Sequence, residues 1–372
     1  MKPMKPSFLQ AMMLIMLSVG LISHVLIIPA LLAAAKRDAW ISVLVSAGPF
    51  LLFVLMLAYV SRHLQHQTLH EWFTDRLGRP VGLLLKITNS LFFLSVIYFT
   101  LHDTTTWAKT NYLQDTPVIA TSIALMAACG YTAYKGMRAM AFTAGLLLPL
   151  VVLLGFYVSI VNMQYKDYSR LLPLLENGWP PILKGSLYSL AGLFELLFIW
   201  YIQPHLKSRI RVWQYLLLAC IMVGLTLGPL IGAIVEFDPF EAARMRYPAF
   251  EEWRIASLGK YIAQTDFFSI YQWLAGAFTR ISLAMYIVVE IWHINSVRKK
   301  VALISTLTIL MFMSMLIPFN DITFESWLVH YIFPANMLYL GTLAILATIT
   351  AWFSSRSQRR KHHGAETEND KS

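Results

Sequence analysis

Runs of about twenty apolar residues, separated by short polar stretches, set the pattern of this chain. They fall at roughly 8–35, 40–61, 80–107, 117–135, 138–163, 184–206, 211–236, 266–293, 300–319 and 326–353. Each is long enough, at ~1.5 Å rise per helical residue, to cross a hydrocarbon core. The pattern predicts an all-α membrane protein with ten transmembrane helices. The fourth and fifth are separated only by "KGM", which reads as a tight turn at Gly136. Segment 356–372 is polar after a basic start and reads as a disordered tail beyond a membrane domain of 1–355.

Composition supports this reading. The 372 residues are 57% hydrophobic and 13% charged, against ~25% charged for soluble domains. The net charge of +10 lies in short basic runs between apolar segments, which argues against nucleic acid as a partner and for membrane lipids. With the amino terminus inside, 18 Lys and Arg fall in inner segments and 10 in outer ones. The positive-inside rule then places both termini in the cytoplasm. Cys129 and Cys220 form no disulfide framework or metal spacing. No P-loop, HExxH or GxSxG motif is present, so no enzyme, cofactor or metal is expected.

Two spans are interrupted. The first carries Gly20 and Pro29, the sixth Gly192 and Pro204. Proline removes a backbone donor, and glycine tolerates unwinding. The two lie five spans apart, an odd number, so a second five-helix unit would begin from the opposite face. That predicts two inverted five-helix repeats, about 8–163 and 184–353, with broken helices 1 and 6 meeting at a midplane binding site.

Charges inside spans sharpen the prediction. Glu195 in "AGLFELLFIW" and Arg280 in the eighth span both fall near mid-depth. Left alone there, each costs ~2.5–3.5 kcal/mol on insertion scales. Mutual pairing beside a wet cavity would offset much of that, so Glu195, Arg280 and the nearby His24 are assigned to a polar network. A protonated Glu195 and a snorkelling Arg280 are the alternatives. His102 and Asp103, near the outer end of the third span, are expected to cap that helix into water or line an entrance. Arg254, Leu258 and Ile262 recur at spacing four and predict a helix in the loop 238–265.

The chain resembles the spore germination permeases, the B subunits of nutrient germinant receptors within the amino acid–polyamine–organocation transporter superfamily. The resemblance covers about 5–355. It is carried by "PALLAAAKRDAW", by "GLFE" and "QPHLK" of the sixth span, and by "YPAFEEWRIASLGKYIAQTD" followed by "FTRISLAMY". Tyr247-Pro248, Arg254, Gly259 and Asp266 keep a family-like spacing. Where the family often has an arginine before this aspartate, the chain has Gln264-Thr265, and His24 is unusual for helix 1. The resemblance implies a sensor with a transporter fold in the spore inner membrane. It would bind a small nutrient such as an amino acid between helices 1, 3, 6 and 8 and trigger germination with A-type and lipoprotein C-type partner subunits. By position, Gly20, Leu21, Ser23, Gly192 and Leu193 would offer backbone groups to the ligand, and Tyr98 and Thr279 side chains. The alternative is a proton- or sodium-coupled amino acid transporter.

Overall fold

The computed structural model describes residues 5–64, 67–257, 264–294, 296–317 and 319–369, with side chains described through 356. Among the described residues there are helices and no strands. The helices are α1 (Phe8–Leu21), α2 (Ile28–Ala35), α3 (Ala39–Leu64), α4 (Leu69–Leu77), α5 (Arg79–Asn111), α6 (Val118–Lys135), α7 (Met137–Val161) and α8 (Trp179–Leu193). They continue with α9 (Ile199–Ile202), α10 (Val212–Phe237), α11 (Pro239–Ala242), α12 (Pro248–Ile255), α13 (Phe267–Ile291), α14 (Val297–Met315), α15 (Asp321–Trp327) and α16 (Phe333–Asn369).

Helix lies in each of the ten stretches that the apolar pattern marks out. By length and apolarity, seven helical stretches among the described residues qualify as membrane spans. One of these, Phe8–Leu64, folds back on itself at a 3₁₀ turn, Lys36–Asp38, where Lys36 takes φ 48°. The buried Asp38 then accepts hydrogen bonds from the backbone N–H groups of Leu175 and Glu176 at 3.0 and 3.1 Å. The "KGM" turn is as the sequence implies: Gly136 sits at φ 88° between α6 and α7, a conformation that would strain any side chain. Backbone helix in α16 runs through Asn369. Leu258, Gly259 and Ile262 lie outside the described residues; α12 ends at Ile255.

Burial sorts the helices. In the most apolar window of α13, 83% of residues are buried, against 22% for the stretch beginning with α7. Along α7, Phe142, Leu146, Leu150, Leu153, Phe156 and Ile160 follow one another at three- and four-residue steps, all exposed. Such a stripe is a liability in water and suits lipid. The chain is an integral membrane protein with α13 near its centre.

Close helix approach fixes the layers. A Cβ on Gly185 of α8 would lie 2.5 Å from Ser42 Oγ and 2.9 Å from Ser42 Cβ on α3. Small residues let membrane helices pack this closely. Gly185→Ala therefore forces α3 and α8 apart, with an expected cost of about 1–3 kcal/mol. Thermal unfolding in detergent checks this; an unchanged midpoint would refute the close fit.

Candidate functional site

The first span changes its winding where the sequence marks a break, but it does not unwind. After α1 comes a single π turn, Ile22–Leu26, closed by a 3.1 Å bond from Ile27 N–H to the Ile22 carbonyl. Pro29 accounts for it: its missing N–H would have met the carbonyl of Val25, within that turn. In the sixth span, α8 passes into a 3₁₀ segment, Phe194–Phe198, which carries Glu195. Gly20 and Gly192 themselves remain helical. The expected broken helices are thus locally rewound ones, and most of their backbone groups stay bonded within the helix.

Glu195 is fully buried and Arg280 is 3% exposed. The guanidinium meets the carboxylate as a fork: Nη2 donates to Oε1 at 2.7 Å and Nη1 donates to Oε2. Two further bonds complete its setting. Nε donates to Thr100 Oγ1 of α5 at 3.0 Å, and Nη1 to the Ser18 carbonyl of α1 at 3.2 Å. One side chain on α13 thereby ties together α1, α5 and the 3₁₀ segment. Bidentate pairing is the geometry for which arginine, unlike lysine, is suited. Of the five N–H donors of the guanidinium, these contacts use four.

Arg280 also lines a small hollow of ≈ 20 Å³, with Ile22 of the π turn, Thr100, and Phe333 and Asn336 of α16. That is room for about one water, far below the ~300 Å³ of a typical small-ligand pocket. Its walls come from the first, third, eighth and last spans.

None of the seven residues assigned to ligand contact lines this hollow. Gly20 faces Leu225, and Leu21 packs on Gly276. Ser23 is buried, its Oγ without a hydrogen-bond partner and close to Gly192. Leu193 and Thr279 are buried, while Tyr98 is half-buried beside Phe99 and His102. His24 makes its hydrogen bond away from the ion pair, from Nδ1 to the Leu225 carbonyl of α10 at 2.9 Å. The residues that the sequence reading missed are Ser18, Thr100 and Asn336. Only Asn336 carried a visible signal, as the one amide in an apolar last span.

A second ion cluster closes the end of the bundle crossed by α12. The expected exposure of Asp103 is overturned: it is 1% exposed. Arg246 Nη2 donates to Asp103 Oδ1 at 2.7 Å, and the Tyr247 hydroxyl donates to the same oxygen at 3.2 Å. Arg246 also lies 3.5 Å from both Asp321 and Glu325 of α15. His102 is buried too, stacked on Phe324 with ring centroids 4.0 Å apart. The loop between α11 and α12 folds over these side chains, which span position alone does not reveal. Burial opposes the charge on Arg246, but Asp103 foremost, with Tyr247, Asp321 and Glu325, outweighs it and raises the pKa.

Three comparisons bear on this arrangement. The family model described as "Spore germination protein" matches residues 6–355. The chain is 37% identical over 353 residues to spore germination protein XB of Bacillus anthracis, covering 95% of this chain and 99% of the relative. It is 26% identical over 281 residues to spore germination protein KB of Bacillus subtilis (strain 168), covering 74% of each. Among solved structures, MhsT in complex with L-phenylalanine superposes with TM-score 0.64 at 13% identity, covering 95% of this chain and 99% of that one. The fold is therefore that of a transporter, and the relatives are germination and transporter-like membrane proteins rather than enzymes.

Proposed function

This chain belongs to the spore germination permease family, and we propose that it is the membrane subunit of a nutrient germinant receptor. It binds a small nutrient, an amino acid, at mid-depth and responds by a change of shape that triggers germination. In this reading the bundle comprises ten spans in two inverted five-helix repeats. Both termini lie in the cytoplasm and the protein sits in the spore inner membrane beside A-type and lipoprotein C-type subunits.

The observation that carries the reading is the forked Glu195–Arg280 pair, whose arginine lines a small hollow. A fully buried ion pair is costly to build and adds little stability. Its value lies in holding four elements around one guanidinium while leaving a donor unspent. An amino acid carboxylate is the ligand chemistry that such a donor recognises. Entry of the ligand requires the hollow to widen, so binding favours an open arrangement of α16 and the π turn against α13. The nutrient shifts that equilibrium only by its difference in affinity between the two arrangements. The likeness to MhsT, crystallised with an amino acid, also favours a second reading as a coupled amino acid transporter.

Germination of a strain lacking this chain, tested on single amino acids, checks the proposal. The expected result is loss of the response to one nutrient or a narrow group, with other responses intact. Unchanged germination on every nutrient would refute it. Gradient-driven accumulation of a labelled amino acid by the purified chain in vesicles would favour the transporter instead.

A further inference from the structure

Away from the Glu195–Arg280 site, α10 and α12 enclose two acidic side chains. Glu236 stands in the last turn of α10 with its side chain fully buried. Glu252 of α12 is 6% exposed. Its carboxyl group rests on Gly232, where a Cβ would fall within 2.7–2.9 Å of it. Gly232 and Glu236 are one turn apart on the same face of α10, so the two carboxyl groups converge.

Asn162, fully buried in the 3₁₀ turn after α7, holds the pair together. Its Nδ2 donates to Glu236 Oε2 and to the Glu252 backbone carbonyl, both at 2.8 Å. Its Oδ1 has no partner, and neither have Glu236 Oε1 and Glu252 Oε1. The nearest ammonium, Lys166 Nζ, donates to the carbonyl and hydroxyl of Ser159 at 3.0 and 3.1 Å. It remains 3.6 Å from Glu236 Oε1, an ion pair beyond hydrogen-bond distance. Arg170 spends Nη1 on the carbonyls of Val235 and Glu236 and pairs with Asp167.

Three buried oxygens without a donor are destabilising. With both glutamates ionised, Glu236, Glu252 and Asp167 against Lys166 and Arg170 leave one negative charge in excess. A single proton satisfies only one pair of these oxygens, whereas a cation accepts more than two oxygen ligands. One monovalent ion restores neutrality. A calcium ion takes six to eight oxygens, and no three His, Cys, Asp or Glu side chains gather for a metal among the described residues. Hard oxygen donors suit an alkali ion over a transition metal.

We propose that Asn162 Oδ1, Glu236 Oε1 and Glu252 Oε1 form a binding site for one sodium-sized monovalent cation that clamps α12 to the end of α10. The clamp bears directly on the second ion cluster, since Tyr247 immediately precedes α12 and Arg246 precedes it. Burial first, then the charge of Glu236, pushes the Glu252 carboxyl well above its ordinary range, with Lys166 opposing. Without the ion, stability therefore falls as pH rises from the ordinary carboxylate range toward that raised value. Sodium offsets the loss, so its effect grows with pH.

The test is thermal unfolding of the purified full chain in sodium chloride and in choline chloride of equal ionic strength. The expected result is a saturable rise in Tm of ~2 °C or more with sodium. Glu252→Gln loses that rise while melting in choline at or above the wild-type temperature, because its amide donates to an oxygen otherwise bare. Equal wild-type melting in both salts, or a rise retained in Glu252→Gln, overturns the proposal. So does a wild type stabilised by acid alone, which places a proton there. Should the variant fail to fold, binding of radioactive sodium to the wild-type chain decides: about one ion per chain is expected from the charge balance, and none overturns it. No nutrient enters these measurements, so their failure leaves the germinant reading untouched.

Discussion

Arg280→Met destabilises the purified chain by about 3–5 kcal/mol, and replacing Glu195 as well, by Leu, returns part of that loss. The asymmetry follows from what each change leaves behind. Removing the guanidinium strands a fully buried carboxylate and takes the donor from Thr100 Oγ1 and from the Ser18 carbonyl. Removing both partners leaves apolar side chains among apolar neighbours, which is far less costly. Arg280→Lys should fall between, because one ammonium cannot make the fork. Chemical unfolding in mixed micelles, arranged as a double-mutant cycle, measures the coupling. A double variant no more stable than Arg280→Met would sink the pairing as the source of the effect.

The pair was legible in the sequence for the same reason that it is vulnerable. A charge in an apolar run must find a partner, and Glu195 and Arg280 both stood near mid-depth of their spans. Their supporting contacts were not legible. The Ser18 carbonyl belongs to the backbone and has no signature in residue type, and Thr100 looks like any small polar residue in a membrane helix. The break in the first span was half legible. Pro29 removes a definite donor and fixes where the winding changes; Gly20 and Gly192 only permit a change, and in this fold neither uses the permission. The wall that the last span gives the hollow escaped notice because it is mostly apolar, and apolar residues carry no mark of which neighbour they face. Asp103 failed as an expectation because depth along its own helix says nothing about a loop that folds over it from 143 residues away.

That loop supplies the second large effect. Arg246→Ala is expected to cost about 3 kcal/mol, at the lower edge for a broken buried pair, because Arg246 keeps 19% exposure while Asp103 has almost none. The loss lies mainly in Asp103, which would retain only the Tyr247 hydroxyl. The contacts to Asp321 and Glu325, both more than a third exposed, contribute ~0–1 kcal/mol each. Salt should separate the two parts, since ions screen the exposed contacts and leave the buried one nearly unchanged. Asp103→Asn in the Arg246→Ala background removes the stranded charge and should restore much of the stability. Hydrogen exchange locates the damage: amides of α12 and α15 should exchange faster, while those of the 3₁₀ segment around Glu195 keep their protection. If α12 stays protected, Arg246 does not fasten the loop.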